Sequence, residues 1–421
     1  MAIERQTPDP AQEGEEFQDM TTERSTDDLD NEIIEILEGL DEEGVEYQED
    51  GSVILGDAEQ EVPTLGFGEN LAEVVSDNEL DKIYIELTAA IENDKSARGD
   101  WEKTYTDGLK YLGMKIEEGR SEPFEGASSV IHPLLGESVT QFQAQAYKEL
   151  LPAQGPVKTQ VVGEYSSAVE EQAQRVKEFM NYQITQVMEE YDEELDQMLF
   201  YLPIAGSAFK KIYYDESLER AVSKFIAPED LIVPYYTTDL ESCPRITHVI
   251  KMPENEVKKL QSIGFYRNVK INSNDSALTD SSLNDEIEKL EGMAPSYDTG
   301  DVCNLYEVHC NLDLEGFEDR FEDGEETEVK LPYIVTIDAN SENILAIRRN
   351  YAEDDPTKKK IEYFVHFKFL PGLGFYGFGL THMIGGLSRA STSILRQLID
   401  AGTLANLPAG FKTRGIRIRD E

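Results

Sequence analysis

Three cysteines, one tryptophan and five histidines are all that 421 residues contain of these types. Cys243, Cys303 and Cys310 form an odd, scattered set, which excludes a disulfide scaffold and fits a reducing compartment. Long apolar runs are also missing. The longest, 199–206 and 230–236, fall far short of the ~20 residues a membrane-spanning helix needs, and no secretory leader is read at the start, so the expectation is a soluble protein without membrane contact. Bases are scarce: 38 Lys and Arg face 85 Asp and Glu, a formal charge of -47. Such a field repels DNA and anionic lipid, which excludes a sequence-specific DNA reader. No internal repeat is visible.

What the chain does have is unevenly distributed. The first 80 residues carry 26 Asp and Glu against only Arg5 and Arg24. Residues 1–77 therefore read as an acidic, disordered arm, whose islands around Ile33–Leu37 and Val53–Leu55 are too short and too charged to form a core. The remainder, 39% hydrophobic in the whole chain, can bury a globular body.

Within that body the hydrophobic period changes along the chain. Leu80, Ile83, Leu87, Ala90 and Ile91, then Leu109, Leu112 and Ile116, recur at helical spacing, which predicts two helices joined near Gly99. A loop punctuated by Gly119, Pro123, Gly126 and Pro133 feeds a helix through Ala144 to Leu150. Residues 165–200 contain neither Pro nor Gly and predict one long helix ending before Pro203, the longest of this half. Strands follow at 207–215, 220–227, 230–236 and 246–252, a helix at 253–264, and strands again at 302–313, 329–338, 342–349 and 361–369. Between them, 272–300 reads as a flexible Ser, Asn and Asp-rich insertion. A Gly-rich loop, LPGLGFYGFG, leads into a helix from Leu380 to about Ala401, and a short basic tail closes the chain. The class is α+β: a helical N-terminal half, a β-rich region and a C-terminal helix.

Candidate chemistry is thin. Gly372, Gly374, Gly377 and Gly379 precede a helix but match no phosphate-binding fingerprint and have no lysine beside them, so they read as a tight aromatic-lined turn. Cys303, His309 and Cys310 lack the second half of a zinc site and read as packed strand residues. Glu189, Glu190, Asp192, Glu193, Glu194 and Asp196 suggest clustered carboxylates for a metal-dependent nuclease, yet they point around the whole circumference of a helix and read as a solvated face. Signatures of serine hydrolases and kinases are absent. The residues predict no enzyme, no cofactor and no metal.

Three segments, in order, resemble the portal proteins of tailed bacteriophages, in particular the large portals of short-tailed phages. They are GRSEPFEGASSVIHPLLGESVTQFQAQAYKELLP, then LPIAGSAFKKIYYD with FIAPEDLIVPYYTTDLESCPRITHVIKMPENEVKKL, then HFKFLPGLGFYGFGLTHMIGGLSRASTSILRQLIDAGTLANLPAGF. Together they span most of 119–411 and leave the acidic arm and 272–300 unmatched.

The resemblance implies that 78–375 is a wing-like body, 376–402 a stem-like helix and 403–421 the start of a clip-like segment, in a chain truncated after its first stem helix. It implies a homo-oligomeric ring of about twelve subunits whose heterologous contacts close by rotation. It implies as partners the terminase large subunit, head–tail adaptors, and major capsid and scaffold proteins. The place implied is the portal vertex of the virion, with the host cytoplasm during assembly, and double-stranded DNA would pass through the channel during packaging and ejection without specific binding. An acidic conduit suits that task, because phosphate contacts from Lys and Arg would hold a moving duplex. The candidate channel or inter-subunit contacts are Arg389 and Arg396, seven apart on one helix face, with Lys412, Arg414, Arg417 and Arg419 in the tail. For the two helix arginines the expectation favours inter-subunit ion pairs over DNA. An acidic adaptor binding a basic partner through residues 1–80 is the alternative from another class, with the nuclease behind it.

Overall fold

A computed structural model describes residues 66–114, 121–122, 124–216, 218–271, 282–291, 302–320, 327 and 329–406, together with two short strands, β1 (Val45–Tyr47) and β2 (Val53–Leu55). The chain divides into two units, Met1–Thr64 and Leu65–Glu421. In the first, β1 and β2 pair antiparallel with Val45 opposite Leu55, so the apolar island at Val53–Leu55 finds a strand partner. The rest of the expected arm up to residue 65 lies outside the described residues, but its end, 66–77, is not a disordered arm: Leu71, Ala72 and Val75 are buried in the core of the second unit.

The second unit is α+β. Its first helix, α1 (Asp77–Ala97), starts at Ser76, whose hydroxyl accepts from Glu79 N–H. Ser76 and Glu79 have capping-box spacing, but the Glu79 carboxylate accepts instead from the backbone of Glu315 across the fold. The helical spacing puts Leu80, Ile83, Leu87 and Ile91 on one buried face. Helix α2 (Gly99–Lys110) follows directly, then α3 (Leu134–Leu150).

The single helix expected over 165–200 is two. Helix α4 (Ser167–Tyr182) runs into a π-turn at Gln183–Val187, the backbone leaves helical geometry at Met188 (ψ 82°), and α5 (Tyr191–Ala205) starts afresh. The cause is tertiary. Glu190 and Glu194 are drawn to the neighbouring strand, and Asp192, Glu193 and Glu194 fill the first turn of α5, where the helix dipole favours acids. Pro203 is inside α5, which ends on Gly206 in the left-handed region (φ 84°). The longest helix of this half is therefore α1.

Two antiparallel sheets carry the middle of the chain. The smaller has the order β10-β3-β4, from β3 (Ser207–Asp215), β4 (Arg220–Ile226) and β10 (Phe364–Lys368). The larger is β5-β6-β7-β8-β9, from β5 (Leu231–Ile232), β6 (Arg245–Pro253), β7 (Val302–Leu312), β8 (Leu331–Asp338) and β9 (Asn343–Arg349). The strand expected at 230–236 is only two residues long, because Pro234 follows and Tyr235 and Tyr236 turn into solvent. Helix α6 (Glu254–Ser262) sits between β6 and β7. Within the expected insertion 272–300, residues 282–291 form a helix, α7, whose Leu283 is buried against Tyr105 and Leu109 of α2; the flanking residues lie outside those described.

Strand alternation builds the core. On β7, Tyr306, Val308, Cys310 and Leu312 face α1, while Cys303 and Leu305 face α6. Phe209, Ile226 and Phe364 of the small sheet meet Leu231 and Ile246 of the large one. Helix α5 covers the other face of the small sheet with Leu195, Met198 and Leu199. The last helix, α8 (Leu380–Asn406), extends beyond both 401 and 402 and is about 40 Å long at 1.5 Å per residue.

Candidate assembly interface

Helix α8 is fastened to the body at its base by glycine. A Cβ on Gly206 would lie 2.3 Å from the Gly377 carbonyl, one on Gly379 2.6 Å from the Ile204 carbonyl, so two backbone turns touch where any side chain would intrude. Gly377 N–H donates to the Ser207 hydroxyl (2.8 Å), and the Thr381 hydroxyl donates to the Ile204 carbonyl (2.9 Å). Phe375 stacks on Phe209, and Tyr376 on Trp101 with centroids 4.3 Å apart. The Gly cluster thus sets the exit direction of α8.

Further along, the 124–133 loop is bonded to the same helix. Ser128 N–H donates to Asp400 (2.7 Å), His132 N–H to the Thr392 hydroxyl (3.1 Å), and the Arg396 guanidinium to the carbonyls of Val130 (2.7 Å) and Ser129 (2.9 Å). Arg396 is therefore committed within its own chain. Arg389 is exposed and has no ion pair among the described residues. Lys412, Arg414, Arg417 and Arg419 lie outside the described residues.

The contact face of α8 is small: Thr381, Ser388 and Thr392 are its only fully buried residues, and Leu380 and Ile384 at its start pack partly buried against the core. The opposite face is apolar and bare. Met383, Leu387, Ile394 and Leu398 are 60%, 60%, 65% and 70% exposed. At 100° per residue they fall, with Ala390, in an arc of about 80°. Charge follows the same pattern: in a chain of net charge -47, no Asp or Glu occurs between Glu362 and Asp400. An apolar stripe this regular on a polar-backed helix marks a surface built for contact.

Of the acidic cluster at 189–196, Glu189, Asp192, Glu193 and Asp196 are exposed, as a solvated face requires, while Glu190 and Glu194 turn toward β4 and are partly buried. Glu190 accepts from Ser223 N–H (3.2 Å) and pairs with Arg220 (2.6 Å), and Glu194 accepts from Phe225 N–H (2.6 Å). Asp192 accepts from Tyr147 (2.5 Å), and Asp196 from Gln143 (2.9 Å). Each of these four carboxylates is committed to a different protein donor. Lys210, over the Tyr191 ring at 4.2 Å, is pushed down to about 8 by burial.

Cys303 and Cys310 point to opposite faces of β7. His309 instead bonds Glu307 (2.8 Å), whose carboxylate also takes the Lys211 ammonium from the small sheet (2.6 Å). Opposite Glu307, the half-buried His248 has its Nδ1 buried with no hydrogen bond, and loss of solvation pushes it down to about 4. Among the described residues, no three His, Cys, Asp or Glu side chains are grouped to hold a metal ion. Sequence reading missed this inter-sheet charge cluster; its only trace is Glu307 and His309 at alternate positions in an otherwise apolar strand.

Comparison with protein-family models and with curated proteins finds no match to the chain. The three segments singled out in the sequence lie far apart along the chain. They meet in space: the 124–133 loop of the first, Ile204 to Ser207 of the second and the Gly-rich turn of the third all bond around α8.

Proposed function

We propose that the chain is a subunit of a phage-type portal ring, with α8 as its stem-like helix. The observation that carries this reading is the bare, acid-free apolar stripe Met383, Leu387, Ile394 and Leu398 on a helix about 40 Å long. In water such a face is costly, and a neighbouring copy relieves the cost by burying it. Contact between unlike faces of identical chains is heterologous and closes into a ring when the rotation allows.

Charge supports the same role. The acid-free stretch keeps like-charge repulsion out of the seam, while the acidity elsewhere disfavours retention of duplex DNA. The subunit would have no catalysis of its own. It would dock the terminase large subunit and later the head–tail adaptors, contact capsid and scaffold proteins, and act at the portal vertex after assembly in the host cytoplasm. Arg389 is the exposed helix arginine available to an acidic neighbour; Arg396 serves the fold of its own chain. Electron micrographs of the purified chain test the reading: closed rings of one diameter with a central channel support it, and a uniform population of single subunits opposes it.

A further inference from the structure

An open sheet edge offers unpaired backbone groups to any passing strand, and proteins block such edges. Of the four edges of the two sheets in the second unit, three are stoppered by polar side chains. On β9, the Asn70 amide donates to the Leu345 carbonyl (3.0 Å) and accepts from Ile347 N–H (3.0 Å). On β5, Arg98 donates to the Leu231 carbonyl (3.0 Å). On β4, Glu190 and Glu194 accept from Ser223 and Phe225.

The fourth edge, β10, has no such stopper. Ile212 N–H donates to the Tyr363 carbonyl and Phe369 N–H to the Gly206 carbonyl, so the odd-numbered residues of this strand bond to β3. By antiparallel alternation, the backbone groups of Phe364, His366 and Lys368 point outward. Among the described residues none of them has a hydrogen-bond partner.

The same chain carries an unpaired segment of strand-like composition. Residues 157–162, Val-Lys-Thr-Gln-Val-Val, run without turn or bend and are rich in β-branched side chains. Only Val157 is bonded, to the Asn181 side chain; residues 158–162 make no backbone hydrogen bond among the described residues, and Val162 is 91% exposed. Lys158, Thr159, Gln160 and Val162 are exposed, and Val157 anchors the segment to Asn181 of α4, a helix that buries none of its residues.

We propose that residues 157–162 of one copy add as a strand to the outer edge of β10 of the next. The two vacancies match in chemistry and in length, six residues against five. Neither carries an acid: no Asp or Glu occurs from 150 to 163 or from 363 to 399, so this is one of the few places where two such chains meet without carboxylate repulsion. Donor and acceptor are different surfaces, so the contact is heterologous, which deepens the ring reading it rests on.

Proline separates the two roles. Thr159→Pro removes a donor from the exposed segment, and Lys368→Pro removes an outward N–H from an edge strand, where proline is tolerated. Mass photometry of the 421-residue chain is expected to show that each substitution raises the assembly midpoint about tenfold or more. A mixture of the two variants should recover heterodimers, since one still offers the strand and the other the edge. A second arm avoids any folding cost: Gln160→Cys with Val365→Cys in one chain should give a ladder of oxidised oligomers, while the natural cysteines stay buried. Unchanged midpoints with no cross-links overturn the strand exchange, and rings that persist under those conditions leave the portal reading standing. A chain that stays monomeric without any substitution overturns the exchange as well.

Discussion

The Lys211 ammonium on β3 lies 2.6 Å from both carboxylate oxygens of Glu307 on β7, joining the small sheet to the large one through a partly buried ion pair. His309 shares the same carboxylate. With two cationic or donor partners, Glu307 is held well below the usual carboxylate range despite its burial.

Removing one member of this group strands the others. Glu307→Ala leaves Lys211 and His309 in a low-dielectric interface without their anion, which costs about 3–5 kcal/mol. Chemical denaturation of the variant should show a loss of that order, whereas a loss under ~1 kcal/mol would mean the pair is solvated in practice.

The same cluster fixes the sign of the pH dependence. His248 is pushed down from 6.5 to about 4 by burial, so the folded chain holds it neutral while the unfolded chain protonates it. Its contribution to stability is complete above 6.5 and is lost as pH falls toward 4. Glu307, depressed below its ordinary 4.5, adds stability that is lost below that value. Glu229, whose carboxyl burial raises to about 8, acts in the opposite sense over the same range, so His248 is read from a difference: the stability of His248→Phe relative to the unsubstituted chain should rise as pH falls from 6.5 toward 4. A difference that stays constant between pH 7 and 4 would contradict this assignment.

Glu194 is a stopper on a sheet edge. Glu194→Ala frees Phe225 N–H and should cost about 1–3 kcal/mol. It should also raise the tendency to aggregate through β4, measured by light scattering on slow heating. Glu193, in the same helical turn and with no described bond to β4, serves as the control: Glu193→Ala should change neither.

Gly206 is required twice, by its φ of 84° and by its approach to Gly377. Gly206→Ala should destabilise by about 1–3 kcal/mol or more, read as a shifted denaturation midpoint. Gly386, with open space around it, tolerates alanine at no comparable cost.

Much of the fold was legible because period 3.6 and period 2 are written in the residues that bury themselves. Leu80, Ile83, Leu87 and Ile91 gave α1, and the β-branched runs of β3, β6 and β7 gave their strands within a residue or two. The break between α4 and α5 was not legible, since no Gly or Pro marks it; it follows from two glutamates reaching a strand that begins at Arg220. Helix α7 was hidden by its polar surroundings. At the interface, the exposed stripe of α8 is implicit in its spacing, but which face lies bare depends on Thr381, Ser388 and Thr392 turning inward. The commitment of Arg396 to Ser129 and Val130, far apart in sequence, has no local trace.

The central claim is that the bare face of α8 assembles copies of the chain into a ring. Leu387→Asp with Ile394→Asp tests it, because both side chains are exposed and the double change should alter monomer stability by no more than ~0.5 kcal/mol per site. Electron microscopy of the two proteins side by side should show closed rings of one size for the unsubstituted chain and single folded subunits for the variant. Single subunits from the unsubstituted chain, or unchanged rings from the variant, would contradict the account.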